Sequence, residues 1–198
     1  MDYDKGNTKP EHLKFTAVSL NVRGLHDHNK RKKLFQWITD TNIDILFLQE
    51  TFCDDVLEKK LNREYKNWGH IYTSNPKSHH ARGVATLISK NVKFTVENIH
   101  RDENGRKLLL NIIINKNKIS LLNLYAPCSQ SERTHFFTNT QKWMMNKICN
   151  MNYVITGGDM NTTVSSLDRI NGAIDPCAKY YKTFKISNDL EDEEDGDT

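Results

Sequence analysis

Long hydrophobic runs are missing from this 198-residue chain, and so is a signal-like start. No apolar stretch approaches the ~20 residues that span a bilayer, and Met1 to Lys14 is polar and charged. The sequence therefore predicts a soluble, non-secreted protein, nuclear or cytoplasmic, with no membrane partner. Cysteine is scarce: Cys53, Cys128, Cys149 and Cys177 stand singly without a Cys-x-x-Cys, which argues against a zinc site and a disulfide framework and favours reduced thiols. No internal repeat is found, and a composition 37% hydrophobic and 27% charged fits one globular domain rather than a disordered or collagen-like chain.

Bases are absent from the last ten residues, where seven of the 25 acids crowd together. Residues 1–188 consequently carry 28 Lys and Arg against 18 Asp and Glu, about +10, a balance that favours a polyanionic partner. The expected organisation is a polar segment over 1–12, one domain over 13–188 and an acidic tail over 189–198.

Within the domain, short apolar runs alternate with amphipathic stretches. Phe15 to Leu20, Ile43 to Leu48 and Val84 to Ile88 read as central strands buried on both faces. Three β-rich runs follow between Lys93 and Tyr125, joined at Asn104-Gly105, where a tight hairpin is expected, and at Asn115 to Lys118. Helices are expected over Asn29 to Thr39, over Asp54 to Glu64, and after Ser129, where Glu132 completes a capping-box spacing. A last strand, Tyr153 to Thr156, is read as ending at Gly157-Gly158. Strands mixed with helices imply an α/β fold.

Four apolar runs are each followed by a polar residue suited to phosphate or metal: Asn21, Glu50, Tyr125, and Asp159 with Asn161. Hard divalent cations prefer carboxylate and carbonyl oxygen, so Glu50, Asp159 and an amide such as Asn21 form a candidate oxygen-only site. Singly, each has an ordinary reading. Asn21 could close a turn, Glu50 could cap the helix near Asp54, Tyr125 could pack with its hydroxyl exposed, and Gly-Gly-Asp could be a turn.

Taken in order, the segments Ser19–Leu25, Phe47–Thr51, Asn123–Pro127 and Gly158–Asn161 resemble the endonuclease/exonuclease/phosphatase superfamily. With Gly83–Ile88 and Ser166–Arg169, the likeness is greatest to the apurinic-endonuclease-like, exonuclease III-like domain of LINE-type non-LTR retrotransposons, and it covers roughly Leu13 to Leu190. The resemblance implies a DNase I-like sandwich of two mixed β-sheets flanked by helices. It also implies a Mg²⁺-dependent phosphodiesterase, with Mn²⁺ as the alternative ion, that nicks duplex DNA to prime reverse transcription, the reverse transcriptase lying on the same chain in a full-length relative. By motif position Glu50 binds the metal, and Asn21 helps place metal and phosphate. Tyr125 hydrogen-bonds the scissile phosphate, Asp159 orients or deprotonates the attacking water, and Asn161 steadies Asp159 and the phosphate.

The family pattern ends with a further aspartate, a late strand and a Ser-Asp-His motif, none of which is found here. The last histidine is His135, and no histidine matches the motif, His79-His80 included. The chain is thus expected to be C-terminally truncated, without the last strands of the fold. Three readings compete: a DNA endonuclease impaired by that loss, a non-catalytic nucleic-acid-binding remnant, and a phosphoesterase of the same superfamily acting on a lipid or inositol phosphate.

Overall fold

The computed structural model describes residues 14–77, 82–148 and 150–162. Expectations for residues 1–13, His79-His80, Cys149, Ser166–Arg169, Cys177 and the acidic tail lie outside the described residues. The elements are β1 (Ala17–Asn21), α1 (His28–Asp40), β2 (Ile45–Gln49), α2 (Asp55–Tyr65), β3 (Gly69–Ser74), β4 (Val84–Ser89), β5 (Thr95–Arg101), β6 (Lys107–Ile114), β7 (Asn117–Tyr125), α3 (Gln130–Met144) and β8 (Tyr153–Asp159). They build two four-stranded mixed sheets, β1-β2-β4-β3 and β5-β6-β7-β8. Each sheet has one parallel pair, β1 with β2 and β7 with β8. The fold is therefore the expected α/β sandwich of two mixed sheets with flanking helices.

The two-residue period of the strands sets the layers. In β2, Leu46 and Leu48 face a core shared with Leu34 and Ile38 of α1 and Leu57, Leu61 and Tyr65 of α2. Ile45 and Phe47 face a second core between the sheets, with Leu108, Leu110, Ile119 and Leu121 opposite. Leu109, Leu122 and Leu124 meet Phe136, Phe137 and Met144 of α3 on the far side. Every residue of β2 and β4 is buried, as their unbroken apolar runs predict. β1 departs from the expectation of a central strand: among the described residues it has one neighbour, β2, and Ala17, Ser19 and Leu20 are exposed.

Asp27 caps α1 by accepting from Lys30 N (2.7 Å), and Asp54 caps α2 by accepting from Leu57 N (2.7 Å). Glu50 is thus not the cap of α2. At α3 no capping box forms, because Ser129 Oγ pairs with Ser131 Oγ instead (3.0 Å). The two-residue turn falls at Asn115-Lys116, both left-handed (φ 48° and 69°), rather than at Asn104-Gly105. There Asp102 Oδ1 collects Arg106 N and Lys107 N around a longer loop. β3 was not anticipated, since Gly69-His70 opens it and its apolar content is low.

β8 continues through Gly157 and Gly158 to Asp159 instead of ending before them. At Gly157 a Cβ would stand 2.3 Å from the Phe47 ring, so glycine here serves close approach between the sheets, not a turn. No helix among the described residues is long and apolar enough to cross a membrane.

Candidate active site

Parallel pairing places the C-terminal ends of β1 and β2 side by side, with Asn21 opposite Gln49, and does the same for β7 and β8, with Tyr125 opposite Asp159. The two sheets are tied together just below these ends. The buried Gln49 Nε2 donates to Asn123 Oδ1 (2.9 Å), and Asn123 Nδ2 donates to Ala85 O (2.8 Å) and Leu48 O (3.2 Å). A buried amide pair satisfied this fully fixes one register between the sheets. Both residues lie within the motifs, but nothing in the local sequence marks them as a bridge between sheets.

Above the bridge, the side chains converge. Asn21 Nδ2 donates to Glu50 Oε1 and to Asp159 Oδ2, both at 2.8 Å, so one amide holds two carboxylates together. Tyr125 OH donates to the same Glu50 oxygen (2.9 Å). Asp159 Oδ1 accepts from the backbone N–H of Asn161 (3.0 Å), while Asn161 Nδ2 donates to Ala126 O (2.8 Å). All five residues singled out in the sequence are thus joined in one network, with Asn161 supporting Asp159 through its main chain rather than its amide. Burial, then the hydrogen bond to Glu50 and its negative charge, push the Tyr125 hydroxyl well above the ordinary tyrosine range, so it stays a proton donor.

The backbone around these groups is unusual. Glu50 (φ 53°), Arg23 (φ 46°), Phe52 (φ 54°) and Asn161 (φ 47°) all occupy the left-handed region. For residues with a Cβ this costs about 1–3 kcal/mol each and persists where surrounding contacts enforce it. Beside Tyr125, Arg106 stacks on the ring (4.9 Å to the centroid) and donates to Tyr125 O (3.1 Å). Burial, and then the positive charge of Arg82, lower its pKa. Neither arginine forms an ion pair among the described residues, and sequence reading singled out neither. A cleft of about 450 Å³ opens beside Ser19, Asn21, Asp159 and Asn161.

Residues 18–190 match the Endonuclease/Exonuclease/phosphatase family. The chain belongs to that family. It is 29% identical over 157 residues to the Transposon TX1 uncharacterized 149 kDa protein of Xenopus laevis, a stretch covering 79% of this chain and 12% of that protein. It is also similar to the crystal structure of truncated Caenorhabditis elegans TDP2 (TM-score 0.59, 25% identity, 75% of this chain and 63% of that one). A second structure of C. elegans TDP2 superposes with a TM-score of 0.58 at 26% identity, over 75% of this chain and 48% of that one. The chain thus spans about an eighth of the transposon protein and less than two thirds of the TDP2 chains.

For an Endonuclease/Exonuclease/phosphatase domain, the donor set is made of hard oxygens. No cluster of three or more His, Cys, Asp or Glu exists among the described residues. Glu50 and Asp159 supply two carboxylates, and Glu50 Oε2 has no hydrogen bond to the described residues. Such a set suits Mg²⁺, which keeps several waters and takes one or two carboxylates together with substrate phosphate. Asn21 turns its nitrogen to the carboxylates and its oxygen to Arg23 N (3.1 Å), so in this arrangement it organises Glu50 rather than offering the oxygen freely.

Proposed function

We propose that this Endonuclease/Exonuclease/phosphatase domain is a Mg²⁺-dependent endonuclease that nicks duplex DNA for retrotransposition. The observation that carries this reading is the pair of carboxylates, Glu50 and Asp159, held by one Asn21 amide with the Tyr125 hydroxyl alongside. The likeness to a transposon protein, matched over 12% of its length, supports a mobile-element setting.

Glu50, steadied by Asn21, would hold the ion, with Mn²⁺ as the alternative. When bound, the ion supplies positive charge to the phosphoryl oxygens as negative charge builds on them. Asp159, fixed through both oxygens, aims the attacking water in line and takes its proton. The water oxygen bonds to phosphorus, the P–O3′ bond breaks, and the departing O3′ takes a proton from solvent water to leave the 3′-hydroxyl that primes synthesis, the proton on Asp159 returning to solvent. Tyr125 OH, which donates to Glu50 in the free site, would turn its hydrogen to a phosphoryl oxygen, and Arg82 and Arg106 add cationic charge on the same side.

A supercoiled-plasmid assay tests the reading. Nicking should require Mg²⁺ and vanish in Glu50→Gln and Asp159→Ala. Adding a segment that bears a Ser-Asp-His motif should raise the rate on the order of 10²–10³, the worth of one further donor to the phosphate. DNA binding without nicking in either chain would favour the non-catalytic remnant, to which the basic body of the sequence is equally suited. Nicking that survives Asp159→Ala would overturn the assignment of the site.

A further inference from the structure

We propose that Arg31 and Glu64, neither of which touches the cleft, are positioning residues that tie the loop after β1 to the last turn of α2 and so hold that loop in its pairing with the loop after β2, setting Asn21 against Glu50. Its rate readout rests on the nuclease reading above, whereas its structural readouts do not.

The β1–α1 connection continues strand-like pairing beyond the end of the sheet. Val22 N donates to Gln49 O (2.9 Å), Gly24 N to Glu50 O (2.6 Å) and Leu25 N to Thr51 O (3.0 Å). It does so across Arg23 and Gly24, both left-handed (φ 46° and 88°), and opposite Glu50, also left-handed. A paired but strained loop needs an outside tether. Arg31 provides it: Nη1 donates to Leu25 O (2.9 Å) and to His26 O (2.8 Å), the two carbonyls that end the loop.

The other edge of the same guanidinium makes a two-point contact with α2, Nε to Glu64 Oε2 (2.7 Å) and Nη2 to Glu64 Oε1 (3.0 Å). Tyr65 OH closes the grip by donating to Arg31 O (2.7 Å). Arg31 is only 4% exposed, so its charge needs this carboxylate. Only a planar group with several fixed donors can serve two carbonyls and a carboxylate together, and a lysine ammonium cannot span them. The chain of contacts then runs from Arg31 through Leu25 and Gly24 to the Glu50 backbone, and from the Glu50 side chain to Asn21 and Tyr125.

The test compares Arg31→Lys and Glu64→Gln with the unmodified chain by ¹⁵N NMR and by steady-state nicking. Amide exchange at Gly24 and Leu25 should quicken about tenfold or more in Arg31→Lys, and less in Glu64→Gln, while Leu46 and Leu87 in the strand centres remain protected. The Asn21 side-chain NH₂ signals should move toward those of a solvated amide. The turnover rate should fall on the order of ten- to a hundredfold with KM within about twofold, the pattern of a displaced catalytic group rather than lost binding. If Arg31→Lys loses protection at Leu46 as well, Glu64→Gln decides by the same readouts. Unchanged exchange at Gly24 and Leu25, or a loosened loop with an unchanged Asn21 signal, overturns the proposal. If neither the unmodified chain nor one extended by a Ser-Asp-His segment nicks, the nuclease reading falls, and the NMR readouts still decide the clamp.

Discussion

Eight non-glycine residues among those described have left-handed backbone, four at each end of the sandwich. Where β2, β7 and β8 begin, they are Asn42, Asn115, Lys116 and Asn150. Where β1, β2, β7 and β8 finish, they are Arg23, Glu50, Phe52 and Asn161. Asparagine visits this region readily because its short amide bonds locally, and Lys116 is the second residue of the two-residue hairpin turn that demands a positive φ, so the first end is ordinary turn chemistry. Arginine, glutamate and phenylalanine have no such compensation. At the second end the conformation is enforced by tertiary bonds such as Gly24 N to Glu50 O, Thr51 N to Gly83 O and Phe52 N to Arg82 O. The same dihedral angle therefore marks a turn at one end and a built site at the other.

The sharpest way to break this comparison is by activity. Asp159→Ala should lower plasmid nicking on the order of 10³-fold or more, whereas Asn42→Gly and Asn115→Gly should leave it within about twofold. An equal loss at both ends would show that global stability was being measured. A smaller effect is expected from Tyr125→Phe, which removes one donor but keeps the ring that Arg106 stacks on. The rate should drop on the order of 10²-fold with an unchanged near-ultraviolet circular dichroism spectrum.

Stability measurements sharpen the contrast at lower energies. Arg23→Gly should raise the unfolding free energy by up to about 1 kcal/mol, read as a higher urea midpoint, because glycine relieves the left-handed strain at an exposed position. Asn42→Gly should gain almost nothing. The smallest effect is expected from pH. The hydrogen bond from Arg31, and then its charge, hold the Glu64 carboxyl below its usual range, with His28 adding a lesser pull. A folded-state value below the unfolded one means the contribution is complete above the ordinary carboxylate range and is lost as pH falls through the lowered value. Urea midpoints should therefore fall less steeply with acidification in Glu64→Gln than in the unmodified chain.

Much of this was legible in the chain. The short apolar run Ile43 to Leu48, the helices near Asn29 and Asp54, and the order of the motifs that hold Asn21, Glu50, Tyr125 and Asp159 all depend on neighbours a few residues away. Local spacing reports such features because strand and helix periods are intrinsic to the backbone. β3 was missed where that local signal was weak, and the Gly-Gly of β8 was misread as a terminus because its cause, the Phe47 ring, belongs to the other sheet.

By itself, the sequence determined the family, the strand and helix periods and the residues whose chemistry suits phosphate and metal. Only the tertiary structure decided how they meet. The Gln49–Asn123 bridge joins residues 74 apart, the Arg31–Glu64 pair residues 33 apart, and Asn21–Asp159 residues 138 apart. Nothing in the local sequence specifies such partners, because a hydrogen bond depends on distance and direction that exist only once both sheets and both helices are packed.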